Sequence, residues 1–231
     1  MNANKFYCGK KILVTAGPTW VPVDRVRVLT SIFSGETGLR IARYFSSLGA
    51  DITLLMGPGR AKFDKNDWNS MNIEQFFYYK ELDKLLHEKL KQEKFDIIIH
   101  SSAVADYTPA NKFNGKIPSG SKDLTIELET TEKLVDYIKT EAPESFLVKF
   151  KLQVGKSQNE LLDIALNSLK NSNADLIVAN DLDEMIGENH VAYILDGIGK
   201  VEKVLTKEEL CERLAMEISE RFDHIKEGTL I

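Results

Sequence analysis

Lys11-Ile12-Leu13-Val14-Thr15-Ala16-Gly17-Pro18-Thr19 is the stretch on which the fold reading turns. Lys11 to Thr15 is a short apolar run, the pattern of a strand covered on both faces, and Gly17-Pro18 stops it. Outward from it, Glu36 to Leu48 has helical spacing. Leu39, Ala42, Phe45 and Leu48 share one face, and Gly49 follows as a stop. Asp51 to Met56 reads as a second strand, Gly57 to about Asn72 as a loop, Leu82 to Leu90 as an amphipathic helix and Phe95 to Ser101 as a third buried strand. This β-α-β-α-β rhythm predicts an α/β fold of Rossmann-like type, doubly wound on a mostly parallel sheet.

The same reading continues downstream. Asp106 to Asp123 has no period and reads as a mobile loop. Leu124 to Leu128 is a short strand, Glu132 to Lys139 a helix and Phe146 to Leu152 a strand. Ser157 with Glu160 forms a capping box that opens a helix. Ala174 to Ala179 is another buried strand. Val191 to Leu195 and Lys200 to Val204 flank Asp196-Gly197, which predicts a small β-hairpin appendage. Thr206 with Glu209 opens a last helix, with Leu210, Leu214, Ile218 and Phe222 as its buried stripe. No repeat or linker interrupts the chain, so residues 1–231 read as a single domain.

Composition excludes several classes. The formal net charge is -5 over 231 residues, with 43% hydrophobic and 28% charged residues. Nucleic-acid binding needs clustered Lys and Arg, and there is no such run. The two cysteines, Cys8 and Cys211, form neither a disulfide framework nor a metal knuckle, and the four histidines do not pair at helical spacing. No stretch reaches the length of a membrane span, and Met1 to Lys11 lacks the apolar run of a secretion signal, so the expected address is the cytoplasm.

Candidate site residues cluster after strands, where open α/β sheets bind ligands. Gly17 ends the first strand. Asp24, Arg25 and Arg27 follow, then Ser34-Gly35-Glu36-Thr37-Gly38 at a helix start, where free N–H groups attract phosphate and glycine lets the backbone approach. The third strand runs into Ser101-Ser102-Ala103-Val104-Ala105-Asp106. Small residues there leave room for a ligand, and the Asp106 carboxylate suits Mg²⁺ or a ribose hydroxyl. Lys116 lies in the glycine-rich loop. Phe150-Lys151 and Asn180-Asp181 end two further strands. Each has a plainer reading as well: helix–strand packing for the glycines, a turn cap for Asp106 and for Asn180-Asp181, and a solvated side chain for Lys116.

Taken together, ILVTAGPT, DRVR before SGETG, SSAVADY, GKIPS, FKL and ADLIVAND resemble the phosphopantothenoylcysteine synthetases, in order and spacing, from about Lys11 to Phe222. The resemblance implies a homodimer and a two-step ligase of coenzyme A synthesis. The carboxylate of 4′-phosphopantothenate attacks a nucleoside triphosphate, releasing pyrophosphate. The amine of L-cysteine then attacks the acyl-nucleotide and releases the monophosphate. It implies Mg²⁺ and either CTP or ATP, with CTP favoured for a stand-alone bacterial type. Many bacterial relatives carry a flavin decarboxylase in front of this domain, and this chain reads as lacking it. By motif, Lys116, Ser31 and Arg27 fall on catalytic positions of the family. Gly17, Ser34, Gly35, Gly38, Ala103, Asp106, Phe150 and Asn180 fall on nucleotide-binding ones.

The chain departs from the family at two places. Where the family reads Ser-Asn-x-Ser-Ser-Gly, this chain reads Thr30-Ser31-Ile32-Phe33-Ser34-Gly35, so Ser31 replaces an asparagine. Where bifunctional bacterial members read Gly-Phe-Ala-x-Glu-Thr, it reads Lys149 to Val154, a form closer to the eukaryotic and stand-alone branches. Two rival readings stand beside the ligase. One is a catalytically impaired nucleotide-binding paralogue, which Ser31 keeps open. The other is an NAD(P)-dependent oxidoreductase, which Pro18 disfavours because it stands where a dinucleotide-binding helix would open.

Overall fold

The computed structural model describes residues 3–111, 113–120, 123–185 and 189–226. The chain opens with α1 (Ala3–Tyr7) and β1 (Lys11–Ala16), followed by a ribbon of β2 (Val21–Pro22) and β3 (Val28–Leu29). Next come α2 (Glu36–Ser47), β4 (Asp51–Met56), α3 (Lys65–Ser70), β5 (Asn72–Gln75), α4 (Tyr79–Gln92) and β6 (Ile97–His100). A second ribbon, β7 (Tyr107–Pro109) with β8 (Leu128–Thr130), leads to α5 (Leu134–Glu141), β9 (Phe146–Gln153), α6 (Gln158–Asn171) and β10 (Leu176–Asp181). β11 (Ala192–Asp196), β12 (Val201–Val204) and α7 (Lys207–Lys226) complete the described chain.

The main sheet has eight strands in the order β12-β11-β10-β9-β6-β1-β4-β5. The six strands from β10 to β5 run parallel. Counted by position along the chain, those six read 3-2-1-4-5-6 from the β5 edge, the Rossmann order, in which the winding reverses between β1 and β6. The predicted hairpin is present, and it extends this sheet as two antiparallel edge strands. Its turn runs from Asp196 to Lys200, and the left-handed residue is Gly199, not Gly197.

Apolar strands pack on both faces. Ile12, Val14 and Ile99 face α2 and α7, whereas Leu13, Ile98 and Leu147 face α4 and α5. The end of α2 shows why the helix stops where its sequence indicates. Ala50 N–H donates to Phe45 O and Gly49 N–H to Ser46 O, while Gly49 takes φ 88°. This pair of bonds is the Schellman arrangement and needs a residue tolerant of positive φ.

Three expectations are corrected. The stretch read as a loop from Gly57 contains α3. Asp64 caps α3, and Asp67, with its side chain almost wholly buried, receives two bonds of 2.7 Å from the Arg43 guanidinium. That helix is polar and held from outside, so it has no apolar period to read. The loop expected over 106–123 begins with β7, which pairs with β8 at residues 128–130, so the strand expected at 124–128 lies later. Within that loop, residues 112, 121 and 122 lie outside the described residues.

Candidate functional site

The winding reversal between β1 and β6 opens a crevice at the carboxyl ends of the parallel strands, and two clefts meet there. The first has a volume of 230 Å³ and is lined by Gly17, Phe33 to Gly38, Ser101 to Ala103, Phe150 to Leu152, Asn180, Met185, His190 and Lys207. The second, of 600 Å³, is lined by Thr30, Ser31, His100, Val104 to Tyr107, Lys133 and Lys149 among others. Phe33, Ser102, Ala103 and Phe150 to Leu152 line both.

Close backbone approach builds the first cleft. Gly35 has φ 82°, and a Cβ there would lie 3.1 Å from the Gly17 Cα. A Cβ on Gly38 would come within 2.5 Å of the Ala16 Cβ and the Ser101 Oγ, so glycine is what lets α2 sit against the ends of β1 and β6. No side chain caps the start of α2 through its N-cap residue. Ser34 Oγ accepts from Glu36 N–H at 3.3 Å, while Leu39 N–H closes onto Gly35 O. The Thr37 and Gly38 N–H groups have no protein acceptor among the described residues, so this helix start presents donors and a positive dipole end to the cleft. Glu36 would oppose an anion there, but it accepts from Arg40 Nε at 2.8 Å.

The floor of the second cleft is polar because the register places Thr15, His100 and Lys149 in one row across β1, β6 and β9. His100 Nδ1 lies 2.9 Å from Thr15 Oγ1. Burial, reinforced by the Lys149 charge, pushes the His100 pKa down to about 4, so the ring stays neutral. Lys149 donates to Ser168 O at 3.1 Å and to Ser172 Oγ at 3.0 Å at the end of α6, and burial lowers its pKa to about 8. Among the described residues, the Ser31 and Ser102 hydroxyl oxygens are buried without a hydrogen-bond partner, a condition that a polar ligand relieves.

The structure sorts the sequence candidates into three groups. Gly17, Ser34, Gly35, Gly38, Ala103, Phe150 and Asn180 come together in the first cleft. Ser31 and Asp106 line the second. Arg27 and Lys116 line neither. Arg27 is ion-paired with Asp24, whose buried carboxylate also accepts from Val26, Arg27 and Ile117 N–H at 2.8, 2.7 and 2.9 Å. Those bonds, the Ile117 one foremost, hold Asp24 down to about 2. Arg25 N–H donates to Gly115 O at 2.9 Å. The loop expected to be mobile is therefore pinned on both sides of Lys116, whose own side chain is exposed. Asn180 Nδ2 donates to Val191 O at 2.9 Å, so its amide also braces the chain entering β11. His100, Lys149, His190 and Lys207 joined the site without a motif to announce them, whereas Ser102 stands in the Ser101 to Asp106 stretch that the sequence singles out.

Asp106 is exposed at the cleft rim. Among the described residues no group of three His, Cys, Asp or Glu side chains is arranged to hold a metal ion. The donors present suit a hard cation carried mainly by ligand phosphates and touched by one protein carboxylate.

A model of the DNA/pantothenate metabolism flavoprotein C-terminal domain matches residues 7–222. The coenzyme A biosynthesis bifunctional protein CoaBC of Thermococcus kodakarensis is 35% identical over 212 residues, 91% of this chain and 51% of that protein. The chain spans about half the length of the curated relatives it matches. The crystal structure of the DNA/pantothenate metabolism flavoprotein from Streptococcus pneumoniae is 30% identical, with a TM-score of 0.81 and coverage of 91% of this chain and 99% of that one. The C-terminal domain of a coenzyme A biosynthesis bifunctional protein CoaBC superposes with a TM-score of 0.76 at 25% identity, covering 94% and 98%. Matched along nearly all its length in sequence and in backbone, this chain belongs to the family of the DNA/pantothenate metabolism flavoprotein C-terminal domain.

Proposed function

We propose that this chain is a phosphopantothenate–cysteine ligase of the cytoplasm. In this reading it joins 4′-phosphopantothenate to L-cysteine through an acyl-nucleotide, releasing pyrophosphate and then the nucleoside monophosphate. The observation that carries the reading is the shared wall between the clefts. A nucleotide in the first cleft and a carboxylate substrate in the second would meet over Ser102, Ala103 and Phe150. Holding two reactants in contact removes most of the entropic part of the barrier.

The roles follow from position. Gly35 and the free N–H groups at the start of α2 take phosphate. The unpartnered hydroxyls of Ser31 and Ser102 donate to oxygens of the acyl group as charge builds on them. Arg27 positions Asp24, and Asp24 positions the Lys116 loop. Lys116, exposed to solvent, meets developing phosphate charge. Mg²⁺ belongs to this proposal as a partner of the triphosphate, with Asp106 as its protein contact, and it supplies charge neutralisation.

A homodimer is part of the same proposal. β2 lies against β7, and apolar side chains stand exposed along the two ribbons and just beyond β3, notably Val26, Ile32, Tyr107 and Leu128. Clustered exposed apolar surface suits a partner copy.

The test is pyrophosphate release from CTP and from ATP, with and without 4′-phosphopantothenate and cysteine. Release that requires phosphopantothenate, followed by amide formation with cysteine, is the expected result. Nucleotide turnover indifferent to phosphopantothenate would overturn the assignment. Ser31→Asn bears on the second step: if an amide serves the acyl-nucleotide better than a hydroxyl, rapid-quench sampling records faster amide formation in the variant. Equal rates with no accumulated intermediate would make Ser31 an adequate substitute.

A further inference from the structure

The floor of the second cleft holds a buried histidine that the ligase reading leaves unused. His100 is the last residue of β6, 7% exposed, and its ring lines the cleft. Nδ1 lies 2.9 Å from Thr15 Oγ1, whereas Nε2 has no hydrogen-bond partner among the described residues. Which nitrogen carries the proton decides what the ring offers to a ligand.

Thr15 fixes the tautomer. Its side chain is fully buried, and its Oγ1 already accepts from Ser102 N–H at 3.3 Å. The hydroxyl hydrogen needs an acceptor, and among the described residues it has none besides His100 Nδ1. Thr15 Oγ1–H therefore donates to Nδ1. Burial and the Lys149 charge keep the ring neutral, so its single proton sits on Nε2. The outcome is a fixed N–H donor that opens on the second cleft.

The same hydroxyl anchors Ser102, whose own Oγ is buried without a partner among the described residues. Between them, Ser101 is tied to Thr15 O through N–H at 3.0 Å and Oγ at 2.7 Å. His100 and Ser102 thus hang from one side chain of β1, beside the wall that the clefts share. Two neutral donors held on paired strand ends make a rigid socket for an oxygen that gains charge. Lys149 adds a positive charge from the next strand in the row, its ammonium tied to the end of α6.

We infer that His100 is a catalytic donor of the amide-forming step, its Nε2–H receiving the acyl oxygen together with the Ser102 hydroxyl. The inference rests on the ligase reading and deepens it. As the cysteine nitrogen bonds to the acyl carbon, the carbonyl π pair moves onto oxygen, and the two donors stabilise that oxyanion. The pair then returns, and the bond from the acyl carbon to the phosphate oxygen breaks. The monophosphate leaves with a proton from the nitrogen. His100 keeps its own proton throughout, as a neutral imidazole donor does.

Two measurements on the full chain test this. A long-range ¹H–¹⁵N spectrum of the ligand-free protein at neutral pH, with the signal assigned by its loss in His100→Asn, should show a neutral ring protonated at Nε2. A proton on Nδ1, or on both nitrogens, would overturn the inference. The second is rapid quench in a single turnover, started with cysteine after the acyl-nucleotide has formed. His100→Asn keeps a polar partner for Thr15 and removes the cleft donor. It should slow amide formation about 10²–10³-fold, while pyrophosphate release and the KM for 4′-phosphopantothenate change little. His100→Gln, whose amide N–H reaches towards the Nε2 position, should recover part of the rate. Normal amide formation in His100→Asn, or a loss spread equally over both steps and KM, would make the histidine a structural residue. Absence of phosphopantothenate-dependent turnover in the unaltered protein would instead sink the ligase reading, whatever the spectrum shows.

Discussion

Gly38 is the residue on which the first cleft depends most directly. A methyl group there meets Ala16 and Ser101 at 2.5 Å, and neither neighbour is the end of a flexible side chain. Gly38→Ala is expected to cost about 1–3 kcal/mol in urea melts, as overpacking does, and, if the first cleft takes the proposed nucleotide, to weaken its binding by tilting α2. An unchanged melt would mean that the strand ends yield without cost. Lys116 is the opposite case, exposed at its tip and pinned only through its neighbours. Lys116→Ala should leave the melt unchanged and lower turnover about 10²–10³-fold if its charge meets the transition state. Normal turnover would remove it from the chemistry. Gly17, Ser34, Gly35 and Gly38 were legible in the sequence because turn glycines beside a helix start carry their own reason. His190 and Lys207 were not. A lone histidine and a lone lysine have no local signature, and only the sheet order brings them to a cleft that begins near residue 17.

Element boundaries followed the same logic. β1, α2, β4, β9 and α6 were readable because apolar period, capping box and terminal glycine agreed. α3 and the β7–β8 ribbon were not, because tertiary partners hold them. At the far edge of the sheet, α7 is fastened to the hairpin by charge. Arg221 pairs with Asp196 at 2.8 Å and with Glu217, whose side chain is 1% exposed, while Lys200 reaches Glu217 at 3.3 Å. Asp196 also accepts from Ile198 and Lys200 N–H, so one carboxylate serves the turn and the helix. Arg221→Ala leaves two buried carboxylates without their main partner and is expected to cost about 3–5 kcal/mol by denaturant titration. A cost below about 1 kcal/mol would reduce the network to surface decoration.

At the scale of the whole molecule, acid is the expected weakness. His100 and His190 are buried neutral, with pKa values near 4 against an ordinary 6.5. Between those limits the unfolded chain binds more protons, so their contribution is complete above about pH 6.5 and drains away as pH falls towards 4. Each is worth on the order of 3 kcal/mol. Asp24 acts lower, its contribution present above about pH 4 and lost towards 2. The urea midpoint should therefore fall steadily from pH 6.5 to 4, and His100→Asn should flatten that slope. A midpoint constant across the range would contradict the burial of these rings. Assembly is testable at the same scale: if the ribbons bury against a second copy, Ile32→Asp should shift sedimentation from dimer towards monomer.

The place of β1 at the winding reversal has a consequence for synthesis. Its neighbour β6 pairs Thr15 with His100, 85 residues further on. At ribosomal speed those residues take roughly 4–17 s to appear. For about the second half of that interval β1, a strand buried along five of its six residues in the folded protein, has β4 on one side and nothing on the other. A nascent chain in this condition is open to wrong pairing, and its exposure is set by strand order, not by final stability. Slower translation before residue 100 should therefore lower soluble yield, although the folded protein would be unaltered.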